Sequence, residues 1–373
     1  MATFQYVTTN VYQSGSFSND IIAELPFTGV NFTQQLNSVG TFSGHVLLSG
    51  IHNLNVFDGT IPGKTILWVL YTNKANVTSA VWSGVIWHRE WDSEKQTLTI
   101  QAQEMMSLYQ RRRIATTKTY TSVDPISIAY NLLQYTEGVS HGNTGLQYNS
   151  ASSGLLTSKT YNGYELKPVY SAIKDLASNY FDFAIKPSIS GNYLINTFTA
   201  GSPLGTVYSS TNINAPVFQF PGNLVKYNFP EDATAAANTL YGLGTGANNT
   251  KLVATYVDSS KISGSGDWPL LQDSTSYTDV ADLALLKDLT LGQGNAVSYP
   301  PTTVQVIIPT YVDPYFGSYS VGDEVRLNVH DDFTPNGLDL IMRIVAIDVS
   351  PGEQSPDRVT VTLTRQLAAG SVS

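Results

Sequence analysis

The chain has 373 residues, a formal net charge of -9 and no cysteine; only 13% of its residues are charged, and 22 are tyrosine. The lack of cysteine excludes disulfides, thiolate metal sites and thiol nucleophiles and fits folding in a reducing cytoplasm, while the acidic balance argues against nonspecific binding along DNA. No apolar run reaches the roughly 20 residues of a membrane helix, and MATFQYVTTN lacks the basic-then-apolar order of a signal peptide, so a soluble protein of about two or three domains, each with its own core, is expected.

Taken in order, short strand candidates at Ile21 to Phe27, Phe32 to Leu36 and Phe42 to Leu48 precede three clearer ones, Lys64 to Thr72, Ala80 to Trp91 and Gln96 to Gln103. Alternation is strictest in the last, where Leu98, Ile100 and Ala102 take one face and Thr97, Thr99 and Gln101 the other. Asp92-Ser93-Glu94-Lys95 is a turn signal. Residues 1–116 therefore read as an antiparallel β-barrel domain.

Residues 117–214 read as an α+β insert. Asp124-Pro125 predicts a helix start, followed by the apolar face Ile126, Ala129, Tyr130 and Leu133 and a stop at Gly138. Pro168 opens a second helix with the stripe Val169, Ala172, Ile173, Leu176, Ala177 and Tyr180. Strands at Phe181 to Lys186 and Tyr193 to Thr199 meet across Ser190-Gly191-Asn192, a hairpin signature.

Residues 215–302 read as the start of a second barrel, with strands at Val217 to Phe220, Leu224 to Phe229, Thr239 to Gly244 and Lys251 to Asp258 and a helical excursion over Asp279 to Leu289. Residues 303–373 complete it, with strands at Val304 to Ile308, Glu324 to His330, Leu340 to Val349 and Arg358 to Arg365. Gly63, Ile66, Trp68 and Leu70 share the spacing of Gly322, Val325, Leu327 and Val329, and TLTIQAQ answers VTVTLTR. The fold class is mainly β, with two related antiparallel barrels and a helix-and-hairpin insert.

The stretches SGVIWHREWDSEKQTLTIQAQEMMSLYQRRRI and VGDEVRLNVH, LIMRIVAIDVS and VTVTLTR, in this order of parts, resemble the tail hub (minor tail or baseplate hub) proteins of long-tailed bacteriophages. That resemblance implies a homotrimer whose paired barrels give six around an axis, adapting a sixfold tail tube to a threefold tip around a DNA exit channel. It also implies as partners a distal tail protein, the tail tube or tape measure protein, and separate tail fibre or receptor-binding proteins. DNA would be met only in transit and a membrane not at all. The site of action would be the virion tail tip, after synthesis in the host cytoplasm.

Few residues suggest chemistry. Arg111, Arg112 and Arg113 suit phosphate or a neighbouring subunit's carboxylates, or else form a solvated exit from the strand domain. Trp82, Trp87 and Trp91 suit a sugar platform. By simple alternation Trp87 and Trp91 share a face with Val81 and Val85, opposite Trp82, which gives one set a core role and the other an interface role. Trp82, Trp87 and the three arginines are thus the candidate interface residues. Glu90 with Asp92, and Asp331 with Asp332, are the carboxylate pairs a glycosidase would need about 5 to 10 Å apart in a cleft, but turn and solvent-face positions explain all four. His45, His52, His88, His141 and His330 have no compact ligand spacing, and Gly242, Gly244 and Gly246 lack the helix or lysine of a nucleotide loop. No catalytic residue, cofactor or metal is expected.

Overall fold

The computed structural model describes residues 3–12, 20–47, 55–208, 214–262, 268–298, 303–352, 357–365 and 371–372. His52, Leu48 and Phe17 to Asn19 lie outside this set. The N-terminal strands are β1 (Thr3–Asn10), β2 (Phe27–Gln35), β3 (Thr41–Leu47), β4 (Thr65–Thr72), β5 (Thr78–Asp92) and β6 (Thr97–Glu104). The insert holds α1 (Pro125–Glu137), α2 (Val169–Tyr180), β7 (Asp182–Ser190) and β8 (Tyr193–Gly201). Beyond it come β9 (Val217–Phe220), β10 (Lys226–Asn228), β11 (Thr239–Leu243), β12 (Val253–Val257), β13 (Gln272–Ser276) and α3 (Leu283–Val297). The last strands are β14 (Thr303–Pro309), β15 (Glu324–Val329), β16 (Leu338–Ser350) and β17 (Arg358–Arg365).

One strand order is traced twice. The N-terminal set runs β1-β4-β5-β6-β3-β2 across the sheet, and the C-terminal set runs β9-β15-β16-β17-β14-β10, so the six strands of each set follow the same order in space and in sequence. The sets differ at one edge, where β1 is antiparallel to β4 and β9 is parallel to β15. Both long strands carry a bulge at the matching place, at Trp87 in β5 and at Val345 in β16. Both copies also begin their central hairpin on a glycine of positive φ, whose N–H donates beside the bulge: Gly63 to the Ile86 carbonyl at 2.7 Å and Gly322 to that of Ile344 at 2.8 Å.

This register corrects the repeat read from sequence by one residue. Leu67, Val69 and Tyr71 face the same core as Val325, Leu327 and Val329, whereas Ile66, Trp68 and Leu70 face the opposite side. The spacing matched because β4 is buried on both faces, and such a strand is apolar in either phase.

The two sets are fused. Past its bulge, β16 leaves β15 and pairs with β2, Ala346 opposite Gln35 through Val349 opposite Phe32, which makes one 13-stranded sheet. Their inward residues form a single core, in which Phe32, Trp82 and Ile100 are contiguous with Val306, Ile347 and Val361. The expectation of a separate core for each domain is therefore overturned: with strands shared across the joint, the inner faces have no water between them to exclude.

The outer face of β4 and β5 is covered by the insert, whose helices bury their expected stripes there. Asp124 caps α1 by accepting the Ile126 N–H at 2.8 Å, and Gly191-Asn192 closes the β7–β8 hairpin. Strands β11, β12 and β13, the first two expected within a barrel, stand in a separate four-stranded sheet against α3. That helix starts at Leu283 rather than near Asp279 because Asp282 is its cap, accepting the Leu285 N–H at 2.8 Å, while Asp279 pairs with Lys159. Gly242 lets it approach, since a β-carbon there would meet Thr290 Oγ1 at 1.8 Å.

Phe32 stands at the joint, fully buried among Phe4, Trp82 and Phe316. Phe32→Ala is expected to lower the free energy of unfolding by about 3–5 kcal/mol, measured by urea denaturation followed by tryptophan fluorescence.

Candidate interaction surface

The bulge at Trp87 decides where the tryptophans point. Ile86 stands opposite Ala102 and His88 opposite Gln101, so one residue of β5 is unmatched and the alternation flips. Trp87 and Trp91 therefore lie on different faces, which corrects the shared face inferred from simple alternation. A further irregularity opposite Val69 and Leu70 brings Val81 as well as Trp82 into the inner core.

Trp82 is 1% exposed, and its indole N–H donates to the Thr33 carbonyl at 2.9 Å. It is a core residue and offers no face to a sugar or a partner. Trp87 is half-buried on the outer side, its indole N–H on Ser107 Oγ at 2.7 Å and the Arg111 guanidinium 5.5 Å from its ring. Trp91 is 56% exposed, edge-to-face with exposed Phe57 at 6.0 Å and beside Arg89 at 5.5 Å. The exposed aromatic surface thus sits at the far end of β5 and not at Trp82.

The three arginines do three different things. Arg111 lies exposed against Trp87, and Arg113, also exposed, donates to the Gln110 carbonyl at 2.7 Å. Arg112 is largely buried. It pairs with Glu137 at 2.5 Å, donates to the carbonyls of Gly142 at 2.6 Å and Thr136 at 3.3 Å, and lies over the Tyr109 ring. Glu137 also accepts from the Tyr109 hydroxyl at 2.7 Å and from the Thr144 N–H and hydroxyl at 2.6 and 2.9 Å. Both terminal nitrogens of Arg112 and both carboxylate oxygens of Glu137 have partners, so Arg112 pins the exit of the strand set to the C-terminus of α1. Both readings of the run, as one cationic site and as a solvated exit, fail at Arg112.

Sequence reasoning passed over Glu104. It continues the inward parity of Leu98, Ile100 and Ala102, so the signal was present. Its carboxylate, 7% exposed, accepts the Gly40 N–H at 2.7 Å and lines a cleft of about 190 Å³ with Gln34, Ser79, Lys186 and Tyr319. Burial pushes its pKa up to about 8 against the opposing pull of the Gly40 hydrogen bond.

The expected carboxylate pairs are placed on turns and edges. Asp92 accepts the N–H groups of Glu94 and Lys95 at 2.9 and 3.0 Å, bonds that hold it below the usual carboxylate range, the Lys95 N–H foremost. Glu90 is exposed beside His88 at 3.7 Å. Asp331 accepts from the Tyr227 hydroxyl and from the N–H groups of Phe333 and Thr334, and its pKa is likewise lowered, chiefly by Tyr227. Each of the three described cavities has one carboxylate on its wall, Glu24, Glu104 or Asp357. Among the described residues, no three metal-ligating side chains cluster.

No protein-family model matches the chain, and no curated protein matches it by sequence. Solved structures do match its fold. A tail protein from Neisseria meningitidis MC58 superposes with a TM-score of 0.61 at 11% identity, covering 96% of both chains. The prophage tail protein gp18 from Listeria monocytogenes EGD-e gives 0.58 at 13% identity over 96% of this chain and 94% of that one. The 43 kDa tail protein of prophage MuSo2 from Shewanella oneidensis gives 0.59 at 12% identity over 99% of each. At such identities the likeness shows the fold: this chain has the β-rich fold of phage tail proteins along nearly its whole length.

Arg112→Ala leaves the buried Glu137 carboxylate without its counter-charge and is expected to cost about 3 kcal/mol, whereas Arg111→Ala and Arg113→Ala stay within about 0.5 kcal/mol of wild type; urea titrations of the three variants check this. Glu104 binds its proton more tightly folded than unfolded, so stability is greatest at low pH in this window. It is expected to fall as pH rises from 4.5 to about 8, by up to about 1.4 kcal/mol per unit, and Glu104→Gln removes that slope.

Proposed function

We propose that the chain is a structural hub of a bacteriophage tail tip, without enzymatic activity of its own. Three copies form a ring of sixfold outline that joins the tail tube to the tip or receptor-binding apparatus and surrounds the path by which DNA leaves. The observation that carries this reading is the strand order traced twice in one fused sheet. Two like units per chain give a threefold closure six near-equivalent surfaces, a direct geometric match between a sixfold tube and a threefold tip. The full-length likeness to tail proteins supports the same assignment.

On this reading a distal tail protein, the tail tube or tape measure protein, and fibres or receptor-binding proteins dock on the two rims of the ring. DNA passes without being held, in keeping with the net charge of -9. The work is done by shape, and the buried Arg112–Glu137 cluster keeps the insert in a fixed relation to the strands.

Light scattering on the purified protein is expected to give three times the chain mass of 40.5 kDa, and negative-stain images rings of sixfold outline. A mass of one chain at every concentration would sink the proposal.

A further inference from the structure

The joint inside the chain is a template for a joint between chains. Aligning the bulges at Trp87 and Val345 puts His88–Trp91 of β5 on Ala346–Val349 of β16, the segment that pairs with β2. Ala102 and Leu363 stand opposite the residues before the bulges, Ile86 and Ile344, and across from them stand Phe42 and Val304. One step along, Ser43 faces Asn31 and Gln305 faces Asn228, so Phe229–Asp232 takes the place of Phe32–Gln35. His88–Trp91 is the part of β5 that runs past its pairing with β4, and Phe229–Asp232 follows directly on the edge strand β10. Among the described residues, no strand pairs with the outer edge of His88–Trp91 or with Phe229–Asp232.

We propose that His88–Trp91 of one copy pairs antiparallel with Phe229–Asp232 of a second copy, repeating between chains the β16–β2 joint within each. The side chains on the two edges fit. Arg89 would face Glu231, opposite charges directly across, and the His88 imidazole would face the Asp232 carboxylate. Exposed Trp91 would meet Phe229, which already leans on the core. Inside the chain Asn31 donates to Asp348 at 2.8 Å; the equivalent residues are Asn228 and Glu90, an amide and a carboxylate again, and both are exposed.

Pro230 is tolerated by the same register. It replaces Thr33, whose carbonyl takes the Trp82 indole N–H on the far side, while Leu36 donates to Val345 in the joint. The proline therefore lacks an N–H only where this ladder has no use for one. Each copy carries one edge of each kind, so the contact is head-to-tail, the kind that forms a closed ring of three when successive copies are turned by a third of a circle. This inference rests on the ring reading above and adds the surface that forms it.

The cysteine-free chain allows a clean test. The Ala346–Gln35 pair lies between hydrogen-bonded pairs, where antiparallel Cα atoms are about 4.5 Å apart, a distance a disulfide spans. A His88→Cys, Asp232→Cys double variant is expected to oxidise to a covalent trimer on a non-reducing gel. Each single variant should give no cross-link, and a mixture of the two singles should stop at dimers. Glu231→Arg, an exposed change, should weaken assembly by about tenfold or more through like charges, and Arg89→Glu in the same chain should restore it. A particle of three-chain mass with no cross-link in the double variant overturns this interface and leaves the ring standing. Cross-links in a single variant also overturn it, by showing a symmetric contact, and a protein that never assembles overturns both readings.

Discussion

Four residue pairs, Phe32 to Gln35 against Val349 to Ala346, turn two sets of strands into one body. Without them each set would present an open edge and a half-covered core; with them the inner faces share one apolar interior, and the fused sheet has no hinge between its halves. The joint is reinforced from both sides. Asn31 reaches Asp348 and Ser350, and the Gln34 side-chain amide donates to the Val81 carbonyl. Buried Arg343 ties β16 to Asp182 at 2.7 Å and to the Leu204 carbonyl, so the insert is fastened to the same seam.

That seam exists because of a bulge. Val345 is the extra residue that bends β16 away from β15, freeing one edge for β2 while β17 stays paired on the other. The same bend occurs at Trp87 in the first set. An edge made in this way is short and flanked by polar and charged side chains, His88, Arg89 and Glu90 in the first set, a usual means of keeping free strands from pairing indiscriminately. Specific pairing then needs a partner edge whose charges answer these.

Much of this fold was legible in the chain, because burial on one face writes itself into period-two and period-3.6 patterns. The strand Thr97–Glu104, the stripe of α2 and the Asp124 cap follow directly from such patterns. What failed was long-range or involved a single inserted residue. Nothing local marks Trp87 as a bulge, yet it reverses every assignment of face beyond it. The first strand, Thr3–Asn10, escaped because Tyr6 to Thr9 are buried on both faces and carry no alternation. Strands β11 and β12 were visible as strands, but pairing partners are not encoded in local pattern, and they belong to another sheet. At the candidate surface, Arg112 and Glu137 are 25 residues apart in sequence, and their meeting depends on how α1 docks, which no motif reports.

The central claim is that the two strand sets are one hydrogen-bonded body joined through β2 and β16. Native-state amide exchange of the intact chain tests it most directly at Leu36, whose N–H donates to the Val345 carbonyl at 2.9 Å. The account predicts that this amide exchanges as slowly as those of Leu98 and Ile100 in the middle of the sheet, through global unfolding alone. Rapid exchange at Leu36 while Leu98 and Ile100 stay protected would mean that the halves open independently, and would contradict it.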